Sequence, residues 1–507
     1  MQEEIATCER MCVWKRTTLP PGRQVVGCRW VLTIKRNAAG EIERFRARLV
    51  AQGFSQRPGV DYDEVYAPTH RMTTLRALLA VGAAHDFEIE QLDVRTAYLN
   101  APLEHEIYMK MPPGYSDDEG DAGEVLKLER ALYGLKQAGR MWHQKLKETL
   151  EEEGFGVAES DDGLYFLFDK KTRVLLLVYV DDMLICGRAE DVRRVKKQVT
   201  KHFDVRDMEE ASVFLGMLIR RDREARTLHL SQPSLIAELL ERTGMTKCAA
   251  RPVPLPEGTK LTDAGRPMEN IKRYQRAVGS LLYLSECTRP DLCYAVRTLA
   301  RCMAAPTEEQ WQLVKGVLRY VAGTRELGLH YGASAGVAGA MAGVPGVLAG
   351  PCVPLGFVDA SYASGMLDRK SISGCVFMLN GAAVSWDCRK QEVTALSSCE
   401  AEYIAAAMAA REALWLRKLM NDLGEPLGRD PMVLWCDNQG AIALVDHPTN
   451  HGSTKHIDVR YHFLRDRMKL GQIVVEYVRT SENVADAFTK ALGATKFGGF
   501  VDELGMS

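Results

Sequence analysis

The alternation of apolar and polar positions changes character along the chain. Its most apolar run, Val174 to Val180, breaks at the pair Asp181-Asp182 and resumes with Met183, Leu184, Ile185 and Cys186. Two apolar runs flanking an acidic pair predict a β-hairpin with buried strands and the acids at its tip. Upstream, Leu75, Leu78 and Leu79 at helical spacing predict a helix capped by Thr73 or Thr74, followed by a half-buried strand from about Phe87 to Val94 that ends in Asp93. The stretches "LSQPSLIAELLERTGM" and "EEQWQLVKGVLRYVAGT" carry the period of amphipathic helices. Beyond residue 354 the order becomes strand, strand, helix ("SSCEAEYIAAAMAAREALWLRKLM"), strand ("PMVLWCD"), helix, strand ("GQIVVEYV"), helix ("ENVADAFTKAL"), the alternation of an α/β domain.

Adjacent carboxylates repel, and desolvating either is costly unless positive charge lies between them. Asp-Asp is also ordinary turn chemistry. A metal-binding reading requires a further carboxylate, and Asp93, at the end of a strand able to pair beside the hairpin, supplies it. Three converging carboxylates suit two Mg2+ ions, which prefer oxygen ligands and leave positions open for phosphate oxygens. The chemistry favoured by such a site is in-line displacement at phosphorus, one ion activating the attacking oxygen and the other stabilising the leaving one.

At 507 residues the chain is too long for a single core, and two to four domains are expected. Hydrophobic content of 46% and charged content of 26% are those of a soluble globular protein. The net charge of only -2 means that nucleic-acid affinity must come from local patches. Residues 13–60 form one, with ten Lys or Arg against two Glu, a net of +8. The 13 cysteines are scattered and odd in number, with no C-x-x-C pair, which argues against a zinc ribbon or a disulfide framework and for a reducing compartment. The acidic start "MQEEIATCER" has no apolar segment, so no signal peptide is expected. The uncharged stretch Tyr331 to Val358 has seven Gly, three Pro and only two Leu, a linker or loop insertion rather than a membrane helix.

The segments "QLDVRTAYLNAPL", "LYGLKQAGRMWHQKL" and "VYVDDMLI", preceded by "WVLTIKRNAAGEIERFRARLVAQGFSQ" and followed by "FLGMLI", resemble the reverse transcriptase of copia-type retrotransposon polyproteins, in the family's order, from about Trp14 to Leu492. The resemblance implies that Asp93, Asp181 and Asp182 are the polymerase acids and that Gln137 contacts template and nucleotide. The +8 patch puts Lys35, Arg46 and Arg48 on nucleic acid. The motif around Tyr98, five residues after Asp93, also resembles that of retroviral reverse transcriptases, in which an aromatic residue at this spacing blocks a ribose 2′-hydroxyl; the copia family more often has Phe there, and core packing beneath the palm is the alternative reading of this ring. Gly139, where the family usually has Pro, is a departure that loosens a loop and removes no chemical group.

The second half resembles the ribonuclease H domain of the same polyproteins, with Asp359 in "GFVDASY", Glu402 in "CEAEYIA", Asp437 in "LWCDNQ" and Asp486 in "ENVADAF" as its four acids. Here water would be the nucleophile. The family commonly reads Asp-Ala-Asp where this chain has Asp359-Ala360-Ser361, and Glu400 rivals Glu402. His447, His451, His456 and His462 have gaps of four, five and six, which share no helical face, and zinc is not expected there. With Lys455, Arg460, Arg465 and Arg467 they read as a basic segment contacting the hybrid.

The expected fold is thus an α+β right-hand polymerase followed by an α/β ribonuclease H-like domain. Fingers and palm are expected over 13–230, thumb and connection over 231–330, a Gly/Ala-rich linker over 331–354 and the ribonuclease H-like domain over 355–495. The resemblance implies an RNA-directed DNA polymerase that also degrades the RNA of RNA/DNA hybrids, using Mg2+ or Mn2+, two ions per active site. Its partners would be an RNA template, a DNA or tRNA-type primer, the hybrid and deoxynucleoside triphosphates, with no membrane. The protein would act in the cytoplasm, within a retroelement particle, or in the nucleus. Protease, integrase and nucleocapsid regions are not recognised in the chain, which suits a processed-size fragment, a truncated reading frame or a genomic relic. A catalytically silent relic that only binds nucleic acid is the second reading; the intact set of seven acids weighs against it. A non-polymerase two-metal phosphohydrolase would have no need of "RARLVAQGF" and "GLKQ".

Overall fold

The computed structural model describes residues 1–36, 42–115, 124–259, 261, 265–332, 350, 352–364, 368–446 and 455–507. Most of the 331–354 stretch therefore lies outside the described residues. So do His447 and His451, together with the side chains of Lys35, Lys455, His456 and Arg460. The chain forms two compact units, one of 1–70 with 90–209, the other of 71–89 with 210–507.

The first unit is built on a six-stranded sheet in which Glu88–Val94 lies between Val205–Glu210 and Asp182–Gly187. Arg173–Tyr179 and Leu164–Phe168 continue it on the hairpin side. The acidic pair is at the tip of the predicted hairpin, with Val174 paired to Gly187 and Tyr179 to Asp182. Both strands are buried, because helices Ala138–Glu152 and Ala189–His202 lay their apolar faces on this sheet, and Trp142, Leu146, Val192, Val195 and Val199 join one core with Val174, Leu176, Met183 and Ile185. A separate two-stranded ribbon, Cys28–Arg36 against Ile42–Ala51, carries the basic residues. Its register alternates faces: Arg46 and Arg48 oppose Thr33 and Val31 on one, while Leu32, Ile34 and Phe45 lie on the other and are exposed. Gly139 is not in a loop but is the second residue of helix Ala138–Glu152, where a proline would also be tolerated.

In the second unit a four-stranded sheet, ordered Val213–Phe214, Met217–Asp222, Thr227–Ser231 and Leu329–Tyr331, accompanies four helices: Pro233–Thr243, Ile271–Cys287, Cys293–Ala300 and Glu308–Gly323. The last is closed by a capping box between Thr307 and Gln310. The five-stranded sheet that follows has the order Ala382–Lys390, Ile372–Leu379, Leu355–Ser361, Met432–Cys436, Ile473–Tyr477, the first three antiparallel and the last three parallel. This is the ribonuclease H-like arrangement. It has three strands before its long helix, Ser398–Asp422, where two were expected.

Helix Met72–Ala84, expected within the fingers and palm, belongs to this second unit, and its cap is Arg71 rather than a threonine. Almost every residue in it is buried, including Arg76. The guanidinium of Arg76 donates to the carbonyls of Val384 at 2.7 Å, Glu286 at 2.5 Å and Cys287 at 2.9 Å, and lies 3.9 Å from the Trp386 ring centroid. A buried cation is tolerated only when its donors are spent in this way. Replacing it by Leu leaves three buried acceptors unpaired, and the stability of this unit should fall by about 3–5 kcal/mol. Urea unfolding of Arg76→Leu checks this; a loss under about 1 kcal/mol would mean that water takes over the carbonyls.

Candidate active sites

The hairpin tip is shaped by its backbone before its acids. With Tyr179 paired to Asp182, the turn consists of Val180 and Asp181, and Val180 has a φ of 57°. Two-residue hairpins need a positive φ at this position, normally from glycine. A β-branched residue there is strained, and strain of this kind persists only where the surroundings over-determine it. Two bonds do so: the Trp142 indole N–H donates to the Val180 carbonyl at 2.6 Å, and the Asp181 carbonyl accepts from the backbone N–H of Val94 at 2.8 Å. The second ties the tip to the end of the Asp93 strand.

Asp93, Asp181 and Asp182 are thus brought together, each half-buried. Burial, and then the charge of Asp93, push the Asp181 carboxyl above its ordinary value, against the pull of Arg48 and Arg46. Asp182 is oriented by Gln91, whose amide donates to it at 3.2 Å. Tyr98 stands in a short 3-10 turn after the left-handed Thr96. Its ring meets Tyr133 edge-on at 5.0 Å, and its hydroxyl is raised by burial and then by Asp181. Arg48 lies over Tyr133 at 4.8 Å, and burial pushes that phenol up to about 12. Two arginines, two tyrosines and the acids therefore share one surface.

Gln137 precedes helix Ala138–Glu152. It is buried, its amide N–H donates to the Asp61 carbonyl at 2.8 Å and its oxygen accepts from Gln56 at 3.0 Å, so both ends hold the 56–61 loop.

In the second unit Asp359 sits on the central strand of the five-stranded sheet, Asp437 just beyond the neighbouring parallel strand, Glu402 in the first turns of the long helix and Asp486 in the 3-10 turn Val484–Phe488. Three are buried and Asp437 is partly so. Burial raises Asp359 to about 6, with Asp486 and Asp437 adding and the Thr489 hydroxyl, which donates to it, opposing. Burial also raises Glu402 to about 9, reinforced by Asp359 and Asp437. Glu402 Oε2 has no hydrogen-bond partner, and carboxylate oxygens of Glu402 and Asp437 lie within 4.8 Å of each other and of the Cys436 sulfur. An unpaired buried oxygen among like charges fits a cation. The rival Glu400 is spent elsewhere: Ser397 caps its backbone N–H, and its carboxylate accepts from the Leu396 N–H at 2.6 Å. Lys490 and Lys496 both pair with Asp486, neutralising it as a bound cation would.

Sequence reasoning passed over Trp142, Gln91, Tyr133, Thr489, Lys490 and Lys496. Thr489 and Lys490 lie within the motif around Asp486 and could have been proposed from it. The partners of Trp142 and Gln91 are a distant carbonyl and a distant strand, and carry no signal in spacing.

These two acid sets, each at the ends of sheet strands and helices, define a chain with two potential phosphoryl-transfer centres. The reverse transcriptase (RNA-dependent DNA polymerase) family model matches residues 11–257. The retrovirus-related Pol polyprotein from transposon TNT 1-94 of Nicotiana tabacum is 38% identical over 506 residues, 98% of this chain and 37% of the relative. That from transposon RE1 of Arabidopsis thaliana is 39% identical over 507 residues, 97% of this chain and 32% of the relative. The putative transposon Ty5-1 protein of Saccharomyces cerevisiae is 31% identical over 324 residues, 63% of this chain and 100% of the relative. The chain belongs to the copia-type retrotransposon Pol polyproteins and covers their reverse transcriptase and ribonuclease H region. It spans about a third of the length of the plant relatives. Among solved structures, a foamy viral protease-reverse transcriptase in complex with double-stranded DNA has a TM-score of 0.48 at 10% identity, covering 94% of this chain and 69% of that one. The ribonuclease H1 of Halobacterium salinarum has a TM-score of 0.21 at 18% identity, covering 27% of this chain and 93% of that one.

The raised Glu402 has a thermodynamic consequence. Between its ordinary value of 4.5 and about 9 the folded state keeps a proton that the unfolded chain has lost, so the metal-free protein loses stability as pH rises across that window. Glu402→Gln removes this contribution. Its melting temperature in chelator should exceed that of the wild type at pH 8, and the two should converge near pH 4.5. A difference that does not change with pH would mean that Glu402 is not held protonated.

Proposed function

We propose that this chain is an RNA-directed DNA polymerase that also cleaves the RNA strand of RNA/DNA hybrids. The observation that carries the polymerase reading is the meeting of Asp93, Asp181 and Asp182 beneath a surface bearing Arg46, Arg48, Tyr98 and Tyr133. The hybrid-cleaving reading rests on the group Asp359, Glu402, Asp437 and Asp486. Both donor sets consist of carboxylate oxygens, which suit Mg2+ or Mn2+, two ions per site. When bound, such ions would lower the charge on phosphate oxygens and favour an attacking hydroxyl or water.

The protein's own groups have separable tasks in this reading. Arg46 and Arg48 attract the template-primer backbone and the triphosphate, an interaction that weakens with salt as counterions compete. The bonds from Trp142 and Val94 keep the hairpin tip rigid, so that the acids keep their positions when phosphate arrives. Tyr98, held by Tyr133 beside Asp181, presents a ring edge where a ribose 2′-hydroxyl would otherwise fit. In the second unit Lys490 and Lys496 pair with the Asp486 carboxylate and offset its charge, at the position a bound cation would take. The substrates would be an RNA template, a DNA or tRNA-type primer, deoxynucleoside triphosphates and the resulting hybrid.

Separate acid sets predict separable losses. Asp181→Asn should abolish extension of a DNA primer on an RNA template while keeping cleavage of a labelled hybrid, and Asp437→Asn should do the reverse. Loss of both activities in either folded variant would refute two independent sites, and absence of both in the folded wild type would favour the silent relic.

Tyr98→Val should leave deoxynucleotide incorporation largely intact and raise ribonucleotide incorporation by roughly 10- to 100-fold, the loss of about 1.4–3 kcal/mol of steric discrimination. If Tyr98 is only a packing residue under Tyr133, both rates fall together and their ratio stays constant. The ratio on one RNA template decides between these outcomes.

A further inference from the structure

Three side chains outside both acid sets converge in the second unit. His85 follows helix Met72–Ala84, its backbone N–H still bonded to the Val81 carbonyl and its ring stacked on Phe87 at 5.2 Å. Glu425 follows the long helix Ser398–Asp422; Gly424 turns the chain there with a φ of 78°, and the Glu425 N–H donates to the Met420 carbonyl at 2.7 Å. Cys352 is a buried thiol three residues before the central strand Leu355–Ser361. Nε2 of His85 lies 2.6 Å from Oε1 of Glu425 and 3.8 Å from Sγ of Cys352, and the three donor atoms all fall within 4.8 Å of one another.

We propose that His85, Cys352 and Glu425 bind a divalent cation of the Zn2+ class. An imidazole nitrogen, a thiolate and a carboxylate form a borderline donor set that zinc prefers and magnesium avoids. The acid sets offer oxygen and suit the hard cation, so the chain would keep two metal chemistries apart. The nitrogen-to-sulfur separation is already near the edge of a tetrahedron around zinc. The nitrogen-to-oxygen contact must open by several tenths of an ångström for both atoms to reach one ion. Three protein ligands leave a fourth position for water. Binding displaces the proton shared by His85 and Glu425 and the thiol proton of Cys352, and both pass to solvent.

The site would join three segments distant in sequence: the end of helix Met72–Ala84, the residues leading into the central strand and the end of the long helix. Its role is therefore that of a staple within this unit. No spacing rule could have found it, since the ligands are separated by 267 and 73 residues.

The test uses the full chain, stripped of metal, with Co2+ as the probe. One equivalent should produce a thiolate-to-cobalt charge-transfer band in the near ultraviolet, displaced by Zn2+ and left in place by millimolar Mg2+. Cys352→Ser should abolish the band, and His85→Gln and Glu425→Gln should each weaken Co2+ binding by roughly ten-fold or more. Cys436, which lies beside Glu402 and Asp437, is the competing thiol, so Cys436→Ser should keep the band. Circular dichroism of the metal-free variants, matching that of the wild type, shows that the fold is kept. The proposal is overturned if no band forms, if the band survives Cys352→Ser, or if Cys436→Ser alone removes it. An unchanged affinity in both His85→Gln and Glu425→Gln would reduce the cluster to an ion pair beside an uninvolved thiol.

Discussion

Mutual repulsion between desolvated carboxylates is the constraint around which both halves of this chain are organised. Left free, the side chains of Asp93, Asp181 and Asp182 would separate and solvate; the backbone does not let them. The turn Val180-Asp181 holds a strained conformation because Trp142 and Val94 bond its carbonyls. Those bonds exist because helix Ala138–Glu152 and the neighbouring strand are packed into the same core. Apolar burial far larger than the local cost keeps the acids close, and that leaves a site poised for positive charge.

The second acid set solves the same problem by other means. Glu402 and Asp359 are held toward their neutral forms by burial, while Asp486 is paired with Lys490 and Lys496. Protonation and pairing with lysines are alternative ways of offsetting the charge of crowded carboxylates. Glu400, two residues from Glu402 on the same helix, illustrates how narrowly role depends on position: one closes the helix end, the other faces the acids.

Buried charge also explains the organisation of the second unit. Arg76 draws helix Met72–Ala84 onto carbonyls of Val384, Glu286 and Cys287, and Arg71 lies 4.3 Å from the centroid of the Trp415 ring. These contacts tie helix Met72–Ala84 to residues that follow 210. The zinc-class site proposed at His85 lies at the end of this same helix.

Periodicity placed the acidic hairpin, the strand ending in Asp93 and the long helix of Glu402, because each is a local signal: an apolar run interrupted by charge, or a helix face repeating every turn. The bonds of Gln137 to Gln56 and Asp61 join partners about 80 residues apart in sequence and leave no signal in spacing. The same holds for Trp142 at the hairpin tip, for helix Met72–Ala84, and for the choice between Glu400 and Glu402. What the sequence determined by itself was which groups can carry charge and on which element each one rides. Which of them are desolvated, paired or left facing one another was decided only by the tertiary structure, because burial and hydrogen-bond satisfaction depend on residues brought near by packing and not on neighbours along the chain.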